Sequence, residues 1–361
     1  ICTSNVGAVE TFAENVIEFF RKNSYVRMVK LWANDGWGFC ECKDCIAIEP
    51  HPDEVEPTSG QKVRSVTYNL FIRKVGEIVG KVFPTKKIEF GAYYNLLPVP
   101  KREEVIPNVR NTALFLDYHY VCPCHSLAAP CNKKAVDSEF RKWRKAYQGD
   151  IHCVMYYGDN YRIVDLPLGL SERISADIEY IKELGLNGIN SGIYSAPLPY
   201  IWEIHGANFY IYGKLAWNSN LSADTILREY FGGYYGSAGQ AMLQYYGQWE
   251  EITKAYKKHA SRILMAHDIL TEEDISKLIQ RLTRARENAR TKLEKSRVMR
   301  ARRVLAVTEL LMEAERKNAG TERDRRLREI CREIDRLTNH TPGLAVKSII
   351  TRFSYDTCLL Y

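Results

Sequence analysis

Three aspartates stand where an apolar run of this chain gives way to polar residues: Asp35 after VRMVKLWAN, Asp117 after NTALFL and Asp159 after IHCVMYYG. Carboxylates that converge on one site can work as a pair at a glycosidic bond. One protonates the leaving oxygen, and the other acts as nucleophile, base or oxocarbenium stabiliser. An aspartate just after a strand also serves as a helix N-cap or turn residue, so each of the three carries that plainer reading too. The neighbouring residues favour a sugar. Asn34 and Trp37 flank Asp35, Tyr94 and Asn95 close the run KIEFGAYY, and His119 and His125 follow Asp117. Tyr156 and Asn160 bracket the end of the fifth run, Tyr194 follows GLNGINSGI, and Trp217 closes IHGANFYIYGKLAW. Rings offer planes on which a pyranose can stack, while amides and carboxylates pair with hydroxyls. Either histidine could be an acid, a base or a ligand, although a single histidine near a strand end is more often a hydrogen-bonded structural residue.

Ten cysteines fall at positions 2, 40, 42, 45, 122, 124, 131, 153, 331 and 358. Three lie in CECKDC (Cys40, Cys42, Cys45), five residues beyond Asp35, and three in CPCHSLAAPC, five beyond Asp117. Such clustering in a long chain points to a local job, either a structural metal or short-range disulfides. A strong zinc signature has two C-x2-C pairs, and only Cys42 and Cys45 fit that spacing. A four-thiol zinc site drawn from the two loops would use Cys40, Cys42, Cys45 and Cys124, and disulfides within and between the loops are the alternative. In either case the sulfurs would pin loops that carry the site. The acid–base chemistry itself requires no cofactor.

These residues need a scaffold that brings strand ends together. Up to about residue 217 apolar strand-like runs alternate with helical periodicity. Strands are expected at ICTS, VRMVKLW, KIEFGAYY, NTALFLDYH, IHCVMYYGD and GLNGINSGIY. Helices are expected at about 8–23, 61–83, 135–148 and 171–184 and over IHGANFYIYGKLAWN. This alternation, with strands apolar along nearly their whole length, reads as a parallel sheet covered by helices. Six βα units are fewer than the eight of a closed barrel, in which catalytic groups stand on the loops after the strands. No G-x-G-x-x-G follows a strand, which weighs against an open dinucleotide-binding sheet. The expected fold is therefore α/β: a (β/α)8 TIM-type barrel over 1–220, with the missing units lying before Ile1 or hidden in the loops. Beyond 221 the signals are helical, at about 222–231, 237–265, 272–318 with a break, and 322–338, giving an α-helical C-terminal domain over 221–361. Leu278, Leu282, Ala285, Ala289 and Leu293 step along one face of it. The tail AVKSIITRFSYDTCLLY reads as a return strand.

The formal net charge is +7, and Arg281–Arg303 holds ten basic and two acidic residues. A charge run of this kind is usually a solvated helix face, and no aromatic interrupts it for base stacking, so nucleic acid ranks last among the partners. No apolar run is long enough to span a membrane. The hydrophobic content of 45% excludes wholesale disorder. The chain opens on Ile1 without an initiator Met or a signal-peptide pattern, so it is expected to be a piece of something longer, with any targeting signal upstream.

LWANDGWGFCECKDC resembles the W-P-N-D-G-x-x-x-C-x-C-x-x-C stretch of an uncharacterised bacterial glycosidase-like barrel family, known as a domain of unknown function. GKLAWNSNLSADTILREYFGGYYGSAGQAMLQYY, SRVMRARRVLAVTEL and DYHYVCPCHSLAAPC are similar to further segments of that family, so that the resemblance covers nearly the whole chain. The family in turn is distantly similar to family 20 hexosaminidases and family 67 α-glucuronidases. The resemblance implies a barrel, a carbohydrate substrate, a location outside the cell or in the periplasm, and barrel units upstream of Ile1. It places Asn34 and Asp35 in the site, with Asp117, His119 and His125 near it. Two positions depart from the pattern: Ala33 replaces the usual proline, and Ser191, Gly192 and Ser195 stand where relatives carry a glutamate. A chain lacking that acid could bind a sugar without cleaving it.

Overall fold

Five of the six expected strands form: β1 (Met28–Leu31), β2 (Lys87–Ala92), β3 (Thr112–Leu116), β4 (Asp150–Met155) and β5 (Gly188–Ser191). A computed structural model describes residues 1–34, 38–57, 59–117, 121–158, 166–191, 198–259, 264–316, 325, 328–330 and 332. The strands make one sheet in the order β1-β2-β3-β4-β5, with parallel register along β1–β2, β2–β3 and β3–β4. Every strand pairs with its neighbour in sequence. A doubly wound sheet reverses its order at a switch point. This sheet has no reversal, and the fold is α/β with a five-stranded parallel half-barrel sheet.

The expected strand at ICTS does not form; residues 1–5 are irregular. The polar residues there have other partners. The Asn5 side chain accepts a hydrogen bond from the Ala8 N–H and caps α1 (Val6–Lys22), and Ser4 turns towards the sulfurs of Cys2 and Cys45.

The remaining helices are α2 (Lys43–Ile48), α3 (Ser65–Val82), α4 (Pro130–Ala146), α5 (Ser171–Glu183), α6 (Leu198–Trp217), α7 (Ala223–Tyr235), α8 (Gly239–Ala255), α9 (Ala266–Ile269), α10 (Glu272–Asn288) and α11 (Lys292–Glu315). The helix expected over 237–265 stops at Ala255. The long periodic stretch from 272 breaks where Thr291 caps α11 through a capping box with Glu294. The break resets the helical phase, so Leu278, Leu282 and Ala285 are buried on α10 while Leu293 is exposed. The helix expected at 322–338 and the return strand lie almost wholly outside the described residues.

The chain forms two compact units that interleave in sequence. One comprises residues 1–121, 132–155 and 180–190, and the other 122–131, 156–179 and 191–361. In the first, Ile88, Phe90, Leu114, Leu116, Ile151 and Cys153 are buried completely on one face of the sheet. Within it Trp143 of α4 donates its indole N–H to the Leu97 carbonyl at 2.7 Å. The second unit's core holds Trp249, Tyr246 and Asn208. There the Tyr246 hydroxyl donates to the Asn208 carboxamide oxygen at 2.7 Å, and that oxygen also accepts from the Leu170 N–H. Several arginines of the basic run are engaged at home: Arg300 with Glu203, Arg302 with Glu309, and Arg297 with the Tyr234 carbonyl. Among the described residues no helix is long and apolar enough to cross a membrane.

Candidate functional site

Side chains alternate across a strand, and partners in register share a face. Lys30 of β1 lies opposite Glu89 of β2, and Gly91 of β2 opposite Phe115, which lies opposite His152 of β4. One face of the half-barrel therefore carries a charged layer. The Glu89 carboxylate accepts from Lys30 Nζ at 3.0 Å and from His152 Nδ1 at 2.8 Å, and is itself almost fully buried. Burial alone would raise its pKa; the hydrogen bonds from His152 and Lys30 outweigh burial and hold the group below its ordinary value. Gly188 makes room for the imidazole, since a Cβ there would stand 2.9 Å from His152 Cδ2.

An aromatic layer follows along the same face. Trp32, just beyond β1, stacks on Phe115 with centroids 4.6 Å apart, and Lys30 Nζ sits 5.4 Å from the Trp32 centroid. Above it runs the rim of strand ends. The Tyr93 hydroxyl donates to the Ala33 carbonyl at 3.1 Å, the Tyr93 and Tyr94 rings lie 5.1 Å apart, and the Asp117 N–H continues the ladder to the Ala92 carbonyl. Asp117 is buried. A phenol from α3 enters between the ends of β1 and β2: the Tyr68 hydroxyl donates to the Leu31 carbonyl at 2.7 Å and accepts from the Gly91 N–H at 3.0 Å. Tyr94 has φ +47°, a left-handed conformation that costs a non-glycine residue about 1 kcal/mol or more.

The structure thus gathers Tyr94, Asn95 and Asp117 at the strand ends of the first unit, with Asn34, which is exposed, after β1. Asn95 is a tether more than a rim group, because its buried amide donates to the Lys62 carbonyl at 2.9 Å and its own carbonyl accepts the Arg64 N–H. Tyr156 is buried just after β4 and belongs to the second unit, as does Trp217, which is 93% exposed at the end of α6. Asp35, Trp37, His119, Asp159, Asn160 and Tyr194 lie outside the described residues. Lys30, Glu89 and His152 were not singled out from the sequence. The signal was there: an ionisable residue flanked by apolar ones inside each strand, Lys30 in MVKL, Glu89 in KIEFGA and His152 in DIHCVM.

The first cysteine loop closes on itself. The Sγ atoms of Cys2, Cys40, Cys42 and Cys45 all lie within 4.8 Å of one another, a set that could hold a metal ion. Cys2 stands 3.8 Å from Cys42 and 3.7 Å from Cys45. A disulfide would require about 2.05 Å. A tetrahedron with Zn–S bonds of about 2.3 Å has edges of about 3.8 Å. The fourth sulfur is Cys2, where the sequence pointed to Cys124; Cys124 lies in the second unit. Cys42 caps α2, accepting the Cys45 N–H at 3.4 Å. At Cys45 burial pushes the thiol up, but hydrogen bonds from Ser4, Thr3 and Cys42 outweigh it and bring the group to about 6.

His125 stands in the other cysteine loop, with Nδ1 facing Cys122 and Cys131. Glu203, the nearest acid after β5, lies on α6 and pairs with Arg300. Burial raises its pKa, and Arg300 opposes that rise.

No curated protein and no solved structure matches the chain. The model of one family does, over residues 1–247. With two thirds of its length matched, including both cysteine loops and all five strands, the chain belongs to the family described as Domain of unknown function (DUF4838).

Proposed function

We propose that this protein is a glycoside-hydrolase-like barrel acting on a complex polysaccharide or glycan by carboxylate acid–base catalysis. The observation that carries this reading is the rim. A buried Asp117 ends β3, with Tyr93 and Tyr94 at the end of the adjacent β2, above a stacked Trp32–Phe115 pair. In α/β barrels this end of the strands is where substrates are bound and turned over. Asp35 follows β1 in the chain and serves as acid or base, with Asp117 or Asp159 as its partner. The five-stranded sheet is then part of a (β/α)8 barrel, and residues from about 221 form a helical domain of their own. Glu89, held anionic between Lys30 and His152, is a positioning residue that gives the floor of the site a fixed negative charge. Cys2, Cys40, Cys42 and Cys45 hold a structural zinc that pins the loop carrying Asp35. The protein works outside the cell or in the periplasm, where such glycans are met.

One observation favours a second reading, a barrel that binds sugar without cleaving it. Ser191 ends β5 where the family resemblance implies a glutamate, and the next acid in the chain, Glu203, is paired with Arg300. Sugar release by the wild type and by Asp35→Asn and Asp117→Asn variants, measured beside binding of the same glycans, separates the two.

A further inference from the structure

The loop from Cys122 to Cys131, CPCHSLAAPC, brings an imidazole between two thiols. His125 Nδ1 lies 3.4 Å from Cys122 Sγ and 3.3 Å from Cys131 Sγ, and the three atoms fall within 4.8 Å of one another. The other ring nitrogen fixes the tautomer. Nε2 sits 2.9 Å from the Tyr256 carbonyl oxygen, which can only accept, so Nε2 carries the proton. In the neutral ring Nδ1 is then a lone pair, aimed between two sulfurs. A single S–H···N hydrogen bond would account for one of those contacts but not both. Metal-ligating histidines have this arrangement, with one nitrogen on the ion and the other N–H on a backbone carbonyl. The spacing agrees as well, since tetrahedral zinc with bonds of about 2.3 Å to sulfur and about 2.0–2.1 Å to nitrogen separates the two donors by about 3.6 Å.

The loop is held on both sides of His125 by buried charges of α5. Asp177 accepts the Leu127 N–H at 2.6 Å, and the Arg173 guanidinium donates to the Pro123 carbonyl. A loop fixed in this way presents its donors without reorganisation. Cys124 is buried in the same loop, and its thiol interacts with that of Cys122.

We propose that Cys122, His125 and Cys131 bind a second zinc ion in this protein. The soft sulfur and imidazole donors select zinc over magnesium or calcium. The ion holds the loop that follows Asp117 in the chain. It is independent of the four-cysteine cluster and of the reading of the protein as a carbohydrate-active barrel.

Metal analysis of the whole protein, purified with zinc present, tests this together with X-ray absorption at the zinc edge. Two zinc ions per chain are expected in the wild type, one in Cys42→Ser and one in His125→Ala. The zinc kept by Cys42→Ser should show an imidazole nitrogen in its first shell, and the zinc kept by His125→Ala only sulfur. The wild-type spectrum supplies the check if either variant fails to fold: it must contain a nitrogen shell beside sulfur. A wild type whose zinc sees sulfur alone, or a His125→Ala protein that still holds two zinc ions, would overturn the proposal.

Discussion

Cys2 and Cys45 place their sulfurs 3.7 Å apart across 43 residues of chain, at the edge length of a zinc tetrahedron and far from that of a covalent bridge. The four-thiol cluster joins the first residues of the chain to the loop after β1, so an ion there cross-links two segments that share no strand pairing.

Removing that ion should loosen the first unit. Zinc at about a thousand times its dissociation constant stabilises by about 4 kcal/mol, which in a unit of this size is roughly 10 °C in Tm. Thermal melts with and without a strong chelator should differ by about that much, with recovery on zinc addition. The Cys42→Ser variant should melt below the wild type, and chelator should then lower its melt only by the share that belongs to the second cluster. Identical melts with and without chelator would exclude a structural ion at both clusters.

Glu89 gives a pH signature. Its carboxyl is held below the ordinary glutamate range, so it contributes stability above the unfolded-state value, and that contribution is lost as pH falls through the folded value. Glu89→Gln keeps the shape and loses the charge beside Lys30 and His152. At neutral pH it should be less stable by about 1.5–3 kcal/mol, the worth of hydrogen bonds to a charged group. The gap from wild type should close as pH drops below about 4. Urea melts across that range decide it, and a gap that widens in acid would show that the carboxylate is not stabilised by its partners.

Asp177 has the opposite sign. Burial raises its carboxyl to about 6, against the pull of Arg173, the Leu127 N–H and the Tyr157 hydroxyl. Its folded form therefore holds a proton that the unfolded chain gives up, and this contribution is complete below the unfolded value and is lost as pH rises through about 6. Relative to Asp177→Asn, the wild type should lose on the order of 2 kcal/mol between about pH 4 and pH 7. A wild-type advantage that grows over the same interval would mean that Arg173 dominates instead.

Tyr68 bridges the Leu31 carbonyl and the Gly91 N–H with one hydroxyl. Tyr68→Phe leaves both backbone groups without that partner inside the sheet and should cost about 1–3 kcal/mol. Hydrogen exchange at Gly91 should rise more than at Phe90. Equal exchange at both would show that the phenol is only packing.

The strands were legible because their apolar runs are nearly continuous, and their parallel order followed from the helices between them. ICTS misled because four residues cannot reveal a period, and the capping role of Asn5 outweighs a weak strand preference. Three members of the first cysteine cluster were legible as C-x-C-x-x-C, but Cys2 was not, since only folding brings residue 2 beside residues 42 and 45. Asp117 and Tyr94 could be placed because a strand end fixes where the next residues stand. Glu89 and His152 were hidden by being read as parts of strands. Their pairing depends on register, which a single strand does not encode.

The most direct test of the central claim is sugar release from a panel of aryl glycosides and polysaccharides by the purified protein, run beside Asp35→Asn and Asp117→Asn. The account predicts release by the wild type that falls roughly 100-fold or more in at least one variant, the scale of losing a general acid or base. Wild-type release that both variants retain in full, or neither release nor binding of any glycan, would contradict it.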